Sequence, residues 1–249
     1  MRALQAELSK LFSLPGIWLA FLIGVLGPAA FAALDCIAEK EDILAGISTR
    51  LPEIGFIGLG FGVQGVILLG VLAVSSEYAT ESSEAGHGQQ ITTSLMAIHS
   101  RIHVFLAKAA AVSLVSILLC ILAIAAIVPV TRLILGEFAP AMEWTRLAGA
   151  ILYWMFTALI AFSFTVLTKN GMIPLTVLMI NSSLVSFSVL LAKITKLAYY
   201  LPDRAGMDMF MSMSDAFHTP LEGGLVMLGW AAVLFAIAGI VFHRRDVGA

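Results

Sequence analysis

The sequence predicts an all-α, polytopic membrane protein. It has six transmembrane helices, an amphipathic interfacial helix at the N-terminus and a helical cytoplasmic segment between spans two and three. Three observations lead there. The chain of 249 residues is 60% hydrophobic and only 12% charged, whereas a water-soluble domain is roughly half apolar and a quarter charged. Its mean hydropathy is +0.99. Six windows free of Asp, Glu, Lys and Arg recur along it: Gly16–Leu34, Ile54–Ser76, Ala109–Thr131, Leu147–Thr168, Gly171–Ala192 and Gly223–Phe242. Each approaches the ~20 residues that a helix needs to cross the hydrocarbon core. Residues 1–249 therefore read as one transmembrane domain.

The elements follow in chain order. In "MRALQAELSKLF", Leu4, Leu8, Leu11 and Phe12 fall on one helical face, with Glu7 and Lys10 on others. Residues 1–14 are thus expected to lie in the membrane interface. Leu14-Pro15-Gly16 turns the chain into span one, which is too long, and preceded by too amphipathic a flank, to be a cleaved signal. The acidic "EKED" at 39–42 is expected in an outer loop.

Span two opens with Gly55, Gly58, Gly62 and Gly65 at i, i+3, i+7 and i+10, with Gly58 and Gly62 forming a small-xxx-small pair. A glycine face lets helices in lipid approach closely. It suits a subunit contact, a helix that moves, or packing within the chain. Span five ends in hydroxyls and an amide. Asn181, Ser182, Ser183, Ser186 and Ser188, with Gln64 in span two, are candidates for a polar path or for simple interhelical hydrogen bonds. The connection 193–222 carries "LAYYLPDRAGMDMFMSMS". Its length and interfacial aromatics predict short helices at the outer surface. Met207, Met209, Met211 and Met213 are either an adaptable surface or interfacial anchors.

Six spans place both termini on one side. With those termini cytoplasmic, the inner basic residues are Arg2, Lys10, Arg101, Lys108, Lys169, Arg244 and Arg245. The outer ones are Lys40, Arg50, Arg132, Arg146, Lys193, Lys196 and Arg204, an equal number. The positive-inside rule ties, and the terminal "HRRDV" favours cytoplasmic ends.

Several functions are disfavoured. No GxxxxGK[ST] occurs, so the chain has no phosphate loop of that type. The windows hold no ionisable acid, base or histidine, which argues against ion-driven transport and intramembrane hydrolysis. Cys36 and Cys120 form no disulfide framework or metal spacing and read as small buried hydrophobes. His99 and His103 stand at i, i+4 without a third ligand, so no metal site is expected. No basic patch points to nucleic acid.

Residues 75–101, "SSEYATESSEAGHGQQITTSLMAIHSR", are polar and lie between two apolar runs. Leu95, Met96 and Ile98 make a small apolar patch rimmed by Ser94, Ser100 and Arg101. That is interface anatomy, suited to a protein partner or to lipid headgroups. Glu77, Glu81 and Glu84 lie toward the amino end and Arg101 toward the carboxyl end, the order a helix dipole favours.

The order of these features resembles the permease subunits of ATP-binding cassette exporters of the type-2 fold. The match rests on Glu77 in "SSEY", on Ser94, Leu95 and Arg101 in "TSLMAIHSR", on Lys108 in "LAKAAAV", and on "YYLPDRAG" and "FHRRDV". His99 and Ser100 stand where many relatives have a proline, and "ATESSEAGHGQQITT" replaces the common Gly-Thr. The resemblance implies a coupling helix within 75–101 that docks on a separate ATPase subunit through Glu77, Ser94, Leu95, Met96, Ile98, Ser100 and Arg101. It also implies a second permease subunit, identical or homologous, and a multi-pass place among the lipids of the bacterial inner membrane. ATP and magnesium would be bound by the ATPase, with no cofactor and no hydrolysis on this chain. Apolar spans with hydroxyls and amides on the path favour a hydrophobic or amphipathic cargo such as a drug, an antimicrobial peptide or a lipid-like molecule. Export of a glycan or lipid-linked polysaccharide has only Tyr153 and Trp154 as obvious sugar-stacking residues. A membrane scaffold or signalling subunit is the alternative outside transport.

Overall fold

The computed structural model describes residues 2–48, 50–78, 101–182, 186–212 and 216–244. Its described residues fold into helices and connecting turns, with five helices long and apolar enough to cross a membrane: Pro15–Leu44, Leu51–Tyr78, Arg101–Phe138, Trp144–Thr168 and Pro220–Arg244. The chain is a multi-pass membrane protein with an all-helical fold.

The first helix, α1 (Arg2–Ser13), precedes a turn at Leu14. Its inward face is displaced from the expected one. Leu11 and Glu7 are buried while Phe12 is exposed, because Glu7 lies one turn from both Leu4 and Leu11 and follows them inward. Pro15 opens the first spanning helix, which runs as α2 (Pro15–Phe21), a π-helical turn at Leu22–Leu26, and α3 (Gly27–Leu44). Pro28 has no N–H to offer the preceding turn, and the widened turn absorbs that loss.

The helix continues ten residues past the apolar window, so "EKED" is helical and not loop. Its end is set by Gly46 at φ 72, with Gly46 N–H donating to Ile43 O and Ile47 N–H to Asp42 O. That is a Schellman stop. Arg50 then folds back on Asp35 at 3.4 Å and Glu39 at 3.0 Å.

The second spanning helix, α4 (Phe56–Tyr78), is enclosed by its neighbours. It is apolar on all sides, as a central helix must be. The third, α5 (Arg101–Leu135), has 35 residues and exceeds its apolar window at both ends. The fourth is α6 (Trp144–Thr168). Trp154, fully buried, donates its indole N–H to Leu59 O at 3.1 Å and ties α6 to α4. Cys36 and Cys120 are both buried and free.

The fifth apolar window does not form one helix. It gives α7 (Met172–Asn181), only 10 residues, and α8 (Phe187–Ala192). Ten residues rise about 15 Å, half of the ~30 Å hydrocarbon core. The reason lies in Asn181, Ser182, Ser186 and Ser188. Ser182 Oγ donates back to Met179 O at 3.3 Å, and Asn181 Oδ1 accepts from Ser188 Oγ at 3.0 Å. Short polar side chains compete with the helical backbone ladder in this way.

Gly171 packs on Ser75, at the α1 end of the bundle, while the segment after α8 lies at the opposite end. There α9 (Pro202–Met207) and the turn at Lys196–Tyr200 form a cap, as the connection's length required. Met209 and Met211 are buried in this cap and Met213 lies outside the described residues. Met207 is half-buried against the same core, so the three described ones are packing residues in this arrangement. The last helix, α10 (Pro220–Arg244), returns to the α1 end with Leu225, Leu228, Val233, Ile237 and Ile240 facing outward.

Candidate functional site at the ends of residues 79–100

The residues that border 79–100 converge on α1. Glu77 lies in the last turn of α4, Lys108 in the second turn of α5, and Glu7 on the inward face of α1. All three are buried, at 4%, 6% and 4% exposure. Lys108 Nζ donates to Glu7 Oε2 at 2.5 Å and to Glu77 Oε1 at 2.9 Å. Lys10 Nζ, at the exposed rim, completes the group at 3.4 Å from Glu7 and 3.5 Å from Glu77. Two carboxylates and two ammonium groups cancel in charge. Neutrality is what a water-poor setting demands, because an unmatched buried charge costs several kcal/mol. The cluster joins three elements that are distant in the chain.

Two of the expected docking residues, Glu77 and Arg101, are described. Glu77 is an internal anchor whose carboxylate is committed to Lys108. Arg101 begins the third spanning helix and is half-buried. Ser94, Leu95, Met96, Ile98 and Ser100 lie outside the described residues.

The polar residues of the broken helix assemble elsewhere. Asp203, at the start of α9, is 7% exposed. Its carboxylate accepts from Ser186 Oγ at 2.8 Å and from Ser188 Oγ at 2.7 Å. Asn181 is the fourth member, accepting from Ser188. Ser182 is buried, Ser183 lies outside the described residues, and Gln64 is half-buried on α4 and takes no part in this network. Asn181, Ser186 and Ser188 thus join α7 to the cap through hydrogen bonds.

A third polar assembly locks the cap down. Arg146 donates Nε to Phe210 O at 2.7 Å, Nη1 to Pro52 O at 2.7 Å and Nη2 to the Glu53 carboxylate at 2.8 and 2.9 Å. Its guanidinium lies over the Phe56 ring, 3.9 Å from the centroid. A planar fork with five donors is suited to such a node.

The glycine face of α4 is occupied from within the chain. A Cβ on Gly58 would lie 2.6 Å from Pro28 O, one on Gly62 would strike the Pro28 ring and Trp154, and one on Gly65 would lie 2.6 Å from Ala20 O. The face seats span one. Gly55 serves a different purpose, adopting φ 88 in the turn before α4. Trp154 and Tyr153 are both fully buried in this arrangement.

Sequence reasoning missed Glu7 and Asp203. The signal for Glu7 was its spacing from Leu4 and Leu11. Asp203 had only its place after a proline at a helix start. Compared with known proteins, the chain matches no family model and no curated relative.

Proposed function

We propose that the chain is the permease subunit of an ATP-binding cassette exporter, moving a hydrophobic or amphipathic substrate outward at the bacterial inner membrane. A separate ATPase subunit binds ATP and magnesium and docks on the coupling segment 75–101, and a second permease completes the complex. The observation that supports this is the Glu7–Lys108–Glu77 cluster. It fastens both ends of 79–100 to α1, so a displacement of that segment moves α1, α4 and α5 together as a lever. Ligand binding at a partner then shifts an equilibrium between two packed arrangements. In this reading α7 and α8 form a sixth crossing in two pieces, and both termini are cytoplasmic.

The test is reconstitution. The full chain, purified from its native host in mild detergent, is expected to bring with it an ATPase chain and to support nucleotide-dependent accumulation of a hydrophobic dye in vesicles. Leu95→Asp and Arg101→Glu are expected to leave membrane insertion intact while releasing the ATPase. Full co-purification and full transport in both variants would refute the docking assignment. A chain that never co-purifies with an ATPase would favour a scaffold.

A further inference from the structure

At the α1 end, α5 and α10 line an apolar groove of about 430 Å³. Its walls are Phe105, Leu106, Phe235 and Ile240, and its mouth carries His243 and Arg244. Gly239 lines the groove and adds no side chain to it. A Cβ there would already lie 3.4 Å from the Phe105 ring, and Phe105 is held back against Phe162 and Phe235 at 5.3 and 4.8 Å. Among the described lining residues none is acidic, and His243 and Arg244 are both exposed.

We infer that this groove binds one acyl chain of an anionic phospholipid, with the lipid phosphate held at Arg244 and His243. Two features select that occupant. The first is length. From Phe235 to Arg244 the helix rises about 14 Å, nearly the ~15 Å of one leaflet, half the hydrocarbon core. A chain lying along the groove therefore brings its headgroup level with the last turn of α10. The second is charge. The groove is greasy along its walls and cationic only at its mouth, and an anionic headgroup gains about five-fold in affinity for each basic residue near the membrane surface. A zwitterionic headgroup gains little there. A second protein helix would require a longer apolar face and would bury Arg244 without a counter-charge.

The test uses the full chain in detergent, incubated with phosphatidylglycerol or phosphatidylcholine and weighed intact by native mass spectrometry. The wild type is expected to retain phosphatidylglycerol in preference to phosphatidylcholine. Arg244→Gln is expected to lower phosphatidylglycerol retention about five-fold while leaving phosphatidylcholine unchanged. Gly239→Leu, which fills the groove, is expected to lower retention of both lipids. Equal retention of the two lipids by the wild type would overturn the proposal, as would phosphatidylglycerol retention that neither substitution changes. Displacement of the lipid by millimolar inorganic phosphate alone would also overturn it, since the site would then read phosphate and not a lipid. Efficient disulfide cross-linking of Ile240→Cys into dimers, with no lipid retained, would show that a second copy fills the groove.

Discussion

Lys108 is the residue on which the α1 end depends most. Its ammonium faces two buried carboxylates, so Lys108→Met leaves both with only the longer contacts to Lys10 at the rim. Removing one partner of a buried pair costs about 3–5 kcal/mol, and the variant is expected to show a large fall in thermal midpoint in detergent. Glu7→Gln leaves Lys108 paired with Glu77 and is expected to cost less. Lys10→Ala, at the exposed rim, is expected to cost at most about 1 kcal/mol. The same measurement orders all three, and a Lys10 effect equal to that of Lys108 would contradict the assignment of the buried pair as the anchor. Asp203 follows the same logic with hydroxyls in place of an amine. Ser186→Ala with Ser188→Ala is expected to destabilise the chain more than Asp203→Asn, because the double change leaves a buried carboxylate without its two donors.

At the scale of elements, α4 and span one are held by backbone proximity. Gly58→Val places branched carbons against the Pro28 carbonyl, which belongs to the backbone and has no rotamer to adopt. Overpacking of this kind costs about 1–3 kcal/mol or more. The expected result is loss of a monodisperse species in size exclusion, whereas Gly229→Ala on α10, where a Cβ meets nothing within 4 Å, is expected to be silent.

The spanning elements were legible in the sequence because lipid demands uninterrupted apolar length. Their ends were less so. α3 and α5 run past their windows because charged residues such as Glu39 and Arg132 are ordinary helix residues once outside the hydrocarbon. The break after Asn181 was hidden in an apolar average. It comes from side-chain donors competing with the backbone and from the Asp203 carboxylate, 17 residues beyond Ser186, which no local window contains. Glu7 was misplaced for a related reason. A strip of leucines shows which face is apolar, but whether a neighbouring acid turns inward depends on a lysine about a hundred residues away.

Across the whole molecule the two ends differ in construction. The α1 end is fastened by mobile-length side chains in a charge-balanced cluster. The opposite end is fastened by Arg146 to two backbone carbonyls and a carboxylate. Arg146→Ala is expected to free the cap, increasing cleavage within 193–222 by a protease added in detergent, while leaving the helical content unchanged. Arg146→Lys is expected to restore only part of the protection, because an ammonium lacks the fork that reaches Pro52, Phe210 and Glu53 together.

The two thiols have a practical consequence. Cys36 and Cys120 are sealed inside the bundle, so the native chain is silent toward water-borne maleimides. A single cysteine introduced at Leu133, Trp144 or Arg244 would be the lone reactive handle on an otherwise blank background. Labelling intact cells with an impermeant reagent would then assign each end of the bundle to its own compartment.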